Sequence, residues 1–208
     1  EIAPPIELNN PSNCIANINS FPYTENFNNN TIGLLSKDSI TADWNIIDLN
    51  QITSEFPFTI DGQYLYMRRP NWDGESTYKA GLISPCIDLS TLSNPELYFR
   101  YLMSHSNDSL IVKFSEDEGQ TWNSLSTLAG NQGNVWNEEY IDVSNISNGN
   151  NVMFMIIGHA GTGTTALALD HFEIRDHNTT DCQSLGFVSS LMWIDEMELG
   201  AFNWYSGN

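Results

Sequence analysis

The stretch ELYFRYLMSHSNDSLIVKFSED, residues 96–117, reads as two β-strands joined by a turn. In its second half Leu110, Val112 and Phe114 alternate with Ser109, Ile111 and Lys113. Successive side chains of a strand point to opposite faces, so a period of two offers one face to a core. The intervening Ser-Asn-Asp is built of turn formers. A second pair follows at 151–176, where NVMFMIIGHA and ALALDHFEIRD are separated by GTGTT.

Outward from these pairs, GLISPCIDL at 81–89 reads as a strand interrupted by Pro85. The Asp61-Gly62 turn precedes QYLYMRR, in which Tyr64, Tyr66 and Arg68 oppose Leu65 and Met67. Phe21, Tyr23 and Phe27 promise a short first strand before an Asn-rich turn, whereas the pattern from Asp43 to Ile60 is irregular, with Trp44 and several isoleucines available for burial. Helical spacing is convincing nowhere. Many short strands between turn clusters predict an all-β fold, a two-sheet antiparallel β-sandwich. Residues 1–13, proline- and asparagine-rich without periodicity, read as a linker; 14–177 form the sandwich domain; 178–208 begin something new or cap the sandwich.

A formal charge of −19 with only seven Lys and Arg excludes sequence-independent nucleic-acid binding, which requires neutralised phosphates. It also opposes docking on anionic membranes. No apolar run approaches the roughly 20 residues of a membrane span, and the start EIAPPIELNNPSN lacks the basic and apolar parts of a signal peptide. Cys14, Cys86 and Cys182 have no CxxC spacing, which removes zinc-knuckle and thioredoxin-type readings. In an exported chain Cys14 and Cys86 form the preferred disulfide, leaving Cys182 over; three reduced cysteines are the alternative.

No catalytic constellation is complete. His105, His159, His171 and His177 are scattered without HExxH, and no GxSxG occurs. Adjacent acids such as Glu138 and Glu139 do not make the two carboxylates across a cleft that a glycosidase needs. The segment Ser115–Trp122 fits the Asp-box pattern S-x-D-x-G-x-T-W. There Asp117 bonds backbone amides, Gly119 supplies unusual backbone angles and Trp122 plugs the hairpin into the core, a structural role. A sialidase would repeat the box and cluster its arginines, and this chain has one box and four arginines, Arg68, Arg69, Arg100 and Arg175. The segment is therefore expected not to be an enzyme.

Aromatic rings offer apolar faces to pyranoses. Trp72, Tyr66 and Tyr78, in or beside a turn-rich stretch, are the candidate ligand-binding residues, while Trp44, Trp122 and Trp136 are expected in the core. Four N-x-S/T sequons begin at Asn29, Asn107, Asn145 and Asn178 and are taken as incidental.

Together SPCIDLS, ELYFRYLM, the Trp-containing turn, GNQGNVWNEEYIDVS and VMFMIIGHAGTGTTALALDHFEI resemble a MAM domain. With FPYTENF upstream, the likeness narrows to MAM-like modules of secreted Bacteroidetes proteins, many of them metalloproteases, and covers roughly Cys14 to Asp176. The tail, with Trp193-Ile194, Leu199-Gly200 and Ser206-Gly207, resembles the start of a GEVED domain, so the chain reads as cut from a larger polypeptide. The resemblance implies a jelly roll closed by strands from both ends of the domain. It also implies a calcium ion where first and last strands meet, its candidate ligands being Asn28, Asp61 and Asp170. Two positions depart from the family: Asn28 stands where an acid is usual, and Asp170-His171-Phe172 replaces D-D-I. The function implied is that of a non-catalytic accessory or recognition module, secreted or at the cell surface, serving neighbouring domains and a metalloprotease parent. A carbohydrate-binding module and an adhesin segment engaging extracellular protein are the alternatives, with no nucleic-acid partner and no membrane insertion.

Overall fold

The computed structural model describes residues 17–38, 40–47, 62–68, 78–146, 151–161 and 167–177. Among these lie thirteen strands: β1 (Asn17–Ile18), β2 (Tyr23–Glu25), β3 (Ser36–Asp38), β4 (Asp43–Ile47), β5 (Tyr64–Arg68), β6 (Tyr78–Ile83), β7 (Cys86–Ile87), β8 (Pro95–Met103), β9 (Ser109–Ser115), β10 (Asn123–Ala129), β11 (Asn137–Asp142), β12 (Met153–Ala160) and β13 (Leu167–Asp176). The described helices are single 3-10 turns, Asn28–Asn30 and Leu89–Thr91, and none is long and apolar enough to cross a membrane.

One sheet has five strands in the order β10-β9-β12-β6-β3. The other runs β11-β8-β13-β5-β4 and gains a sixth strand because β2 also pairs with β13. On the side of β13 away from β8, β5 lies opposite Ala168 and Leu169, and β2 opposite Phe172 to Ile174. Strands from the start and the end of the domain thus close one sheet, and the two antiparallel sheets form the expected sandwich.

Alternation sets the core. On β8, Leu97, Phe99, Tyr101 and Met103 turn inward and are at most 5% exposed. They meet Leu110 and Val112 of β9 and Phe154 and Ile156 of β12 in one cluster. Trp44 ties the sheets together. It is fully buried, and its indole Nε1 donates to the Ala80 carbonyl of the other sheet at 3.1 Å. Gly158 makes room for it: a Cβ there would lie 2.6 Å from Trp44 Cζ2 and 2.3 Å from Met67 Cε.

Tyr78, a candidate for ligand stacking, is instead part of this core. It opens β6 on the inward face at 6% exposure and so cannot present a ring to a ligand. The turn-rich composition just upstream suggested a surface position, but Tyr78 shares the inward parity of Ala80 and Leu82.

Between β9 and β10 the chain turns on Asp117. Its carboxylate accepts from the Thr121 amide at 2.8 Å, the Thr121 hydroxyl at 2.6 Å and the Ser115 hydroxyl at 2.7 Å. These bonds, led by that of the Thr121 hydroxyl, hold the Asp117 carboxyl down to about 2. Gly119 takes a positive φ of 85°, with its Cα side against the ring of half-buried Trp122. Cys86 is disulfide-bonded. Cys14 and Cys182 lie outside the described residues, as do Asp61 and Trp72.

Candidate functional site

The outward face of the six-stranded sheet gathers most of the chemistry. On β8 the outward residues are Glu96, Tyr98, Arg100 and Leu102, and the register sets Asp142, Tyr140 and Glu138 of β11 opposite the first three. On the other flank β13 pairs Ala168 with Leu102, Asp170 with Arg100, Glu173 with Tyr98 and Arg175 with Glu96.

That last set requires a shift of register between Asp170 and Glu173. One additional β13 residue is accommodated there, and His171 adopts a positive φ of 54°. A bulge of this kind re-aims side chains that strict alternation would send to opposite faces. Here it sends His171 to the outer face as well, where its ring meets Tyr98 at 5.2 Å and its Nε2 lies 2.7 Å from Glu173 Oε2.

One end of the face is a bonded aromatic and ionic cluster. Tyr98 and Tyr140 have ring centroids 4.8 Å apart, and the Arg175 guanidinium lies over both, at 4.9 and 5.5 Å. Arg175 donates to Glu96 Oε1 through Nε at 2.9 Å and Nη2 at 2.8 Å, and Nη1 reaches Glu173 at 3.4 Å. Glu138 accepts from the Tyr140 hydroxyl at 2.6 Å and from Tyr98 at 3.2 Å. Burial, then the charge and hydrogen bond of Glu138, push Tyr98 up to about 12. The bond from Tyr140 leads the causes that lower the Glu138 carboxyl. Tyr140 is 50% exposed, the ring this end offers outward.

The other end is apolar. Tyr64, Leu102 and Ala168 are buried against Ile47, Tyr66 and Trp136. Trp136 leans edge-on against Tyr64 with centroids 5.5 Å apart. Trp136 is therefore on the outer face and only half-buried, not in the inter-sheet core where the sequence reading placed it. It shares the outward parity of Glu138 and Tyr140. Tyr66, another candidate for ligand stacking, packs on this cluster as well, and Trp72 lies outside the described residues.

Between the ends, Arg100 Nη1 stands 3.9 Å from the Asp170 carboxylate. Arg100 Nε and Trp136 Nε1 are buried and, among the described residues, have no hydrogen-bond partner. Asp170 itself is 6% exposed, and burial raises its carboxyl above the usual aspartate range.

The sequence profile of the MAM domain, meprin/A5/mu, matches residues 26–183. The chain belongs to the MAM domain family. No curated protein matches it. Solved β-sandwiches share the fold at low identity. The K1 cleaved adhesin domain of Lys-gingipain from Porphyromonas gingivalis W83 is 16% identical, with a TM-score of 0.55 over 76% of this chain and 100% of that one. The K2 cleaved adhesin domain of Lys-gingipain gives 13% identity and 0.57 over 76% and 100%. Module CBM27-1 of Caldicellulosiruptor saccharolyticus, solved with mannohexaose, gives 12% identity and 0.53 over 76% and 100%.

In this MAM domain the expected calcium ligands Asn28 and Asp170 are brought toward one junction, where β2 succeeds β5 along β13. Each already has protein partners. Asn28 Oδ1 accepts from the Gln63 amide at 2.9 Å, and Asp170 faces Arg100 and takes the His171 amide. Calcium asks for about six to eight oxygens. Among the described residues no group of three or more His, Cys, Asp or Glu is placed to hold a metal. One carboxylate beside a guanidinium and one engaged amide do not by themselves fit the ion.

Proposed function

We propose that this MAM domain is a non-catalytic extracellular recognition module and that it binds through the outer face of its six-stranded sheet. The observation that carries the reading is the face itself. Tyr98, Tyr140, His171 and Arg175 converge on it from β8, β11 and β13, and a bulge in β13 adds to their number. A face that needed only solvation would not order aromatic rings and a guanidinium into stacked contact. The fold is shared with adhesin domains and with a module solved with a saccharide, which supports binding over catalysis.

We further propose that the domain serves a larger secreted protein, with a metalloprotease as its catalytic part. Peptide mapping of the parent paired with a protease assay tests this; an HExxH domain with proteolysis is expected, and repeated sandwiches without a catalytic domain would overturn it. The binding reading is tested on the parent by its depletion from solution onto insoluble extracellular material. Tyr140→Asp should abolish retention, whereas Lys113→Ala, on the five-stranded sheet, should not. Equal retention of both variants would refute the assignment of the face.

A further inference from the structure

We propose that the ligand of this face is a neutral saccharide, seated between Trp136 and Tyr140 and accepting hydrogen bonds from Trp136 Nε1 and Arg100 Nε. The inference rests on the recognition reading above and names the class of ligand.

Two buried N–H groups without partners among the described residues lie on the same face, one at the residue preceding β11 and one on the adjacent strand β8. Glu138, two residues beyond Trp136, sits opposite Arg100. An unmet buried donor is costly, so such groups are scarce in native proteins and ask for an explanation. The nearby carboxylates do not relieve them: Glu138 is held toward two tyrosines by one bond to each oxygen, and Asp170 comes no closer to Arg100 than Nη1 at 3.9 Å. What the pair lacks is an oxygen acceptor.

Charge decides which kind of oxygen. The face holds Glu96, Glu138, Asp170 and Glu173 against Arg100 and Arg175, in a chain of net charge −19. A carboxylate, sulfate or phosphate ligand would meet more carboxylates than guanidinium groups. A neutral hydroxyl accepts from the two N–H groups and donates its own proton to Glu138 or Asp170. A saccharide carries several such hydroxyls and also an apolar C–H face for the half-exposed Tyr140 ring. A protein partner fits less well, because stable interfaces are built on a desolvated apolar centre. Here Leu102 and Ala168 are already covered by Trp136 and Tyr66.

Trp136 is the moving part. Its ring leans on Tyr64 and is only half-buried, so in this proposal it turns away from Tyr64 to bring its N–H to the ligand. Binding should therefore change the emission of this tryptophan.

The test titrates the 208-residue chain with neutral hexose and pentose oligosaccharides, and separately with polygalacturonate and heparin, by calorimetry and tryptophan fluorescence. At least one neutral saccharide should bind saturably at millimolar concentration or below. Trp136→Phe keeps a ring but removes the N–H, and should weaken binding tenfold or more and abolish the emission change. Arg100→Met should weaken it comparably. Unaltered affinity in Trp136→Phe, or preference for the anionic polymers, would overturn the inference. If no neutral saccharide binds while Tyr140→Asp still abolishes retention of the parent, the ligand class is wrong and the recognition reading stands. If the parent is retained regardless of Tyr140, both fail.

Discussion

Gly158→Ala tests the packing that sets the outer face. Gly158 of β12 faces Trp44 and Met67 of the other sheet, and an added Cβ would sit 2.6 Å from Trp44 Cζ2 and 2.3 Å from Met67 Cε. Carbon atoms prefer about 3.5–4.0 Å, so both contacts must lengthen by about 1 Å or more. The Met67 methyl can turn aside, since an unbranched thioether adapts readily. Trp44 cannot: it is fully buried and fixed by its bond to the Ala80 carbonyl. Overpacking of this kind costs about 1–3 kcal/mol. For a domain of this size, that is a Tm lowered by about 3–10 °C. The strain should also reach the outer face, because Met67 directly follows the outward residue Tyr66 on β5. Urea and thermal unfolding of the two proteins, each followed by fluorescence and circular dichroism, measure the cost. A variant within about 0.5 kcal/mol of the parent would show that Trp44 does not lock the sheets as described.

Other perturbations give separate readings. Glu96→Gln removes the anion under Arg175 and should cost about 1–3 kcal/mol, with the Tyr98–Tyr140 stack loosened in near-ultraviolet circular dichroism. Glu138→Gln removes a charge that raises Tyr98, so spectrophotometric titration should find that tyrosine ionising below its present value of about 12; no change would contradict the assigned contact. Asp117 has its folded carboxyl lowered from 3.8 to about 2, so its stabilising contribution is present above 3.8 and is lost as pH falls toward 2. The stability gap between the parent and Asp117→Asn should therefore hold steady at neutral pH and close across that acid window. A gap independent of pH would refute the bonding around Asp117. Chelation with EDTA should leave Tm unchanged, given the partners already held by Asn28 and Asp170. A rise of several degrees with calcium would mean that oxygens beyond the described residues complete a site.

Much of this fold is legible in single residues. β8, β9 and β12 announce themselves because one parity is almost wholly apolar, as in Leu97, Phe99, Tyr101 and Met103. The opposition of Tyr64 and Tyr66 to Leu65 and Met67 likewise gives β5 its two faces. β10 escapes the same reading. As an edge strand it buries little, and Asn123 to Ala129 carries too few apolar residues to show a period. β3 is exposed at all three positions and has no pattern to find.

The site was less legible than the fold because it depends on register. Trp136, Glu138 and Tyr140 share a parity visible in the sequence, but nothing local says that this parity faces outward beside Arg100 and Tyr98. The bulge is the deeper obstacle. Counting by twos from Asp170 puts Phe172 and Ile174 outward, yet both are buried, and it is Glu173 and Arg175 that share the face of Asp170. Only the extra residue at the bulge brings Arg175 over Tyr98. Tyr78 is hard to read for the converse reason, since its loop-like neighbourhood outweighs its own inward parity.

Hydroxyl-radical footprinting of the parent, free and retained on insoluble extracellular material, tests the assignment of the face most directly. Oxidation is read residue by residue at exposed side chains. The outer-face account predicts protection of Tyr140, Tyr66 and Trp136, with Leu34 and Ile40, which are 55% and 46% exposed, labelled equally in both states. Protection of Leu34 and Ile40 with Tyr140 still labelled would place recognition elsewhere and contradict the account.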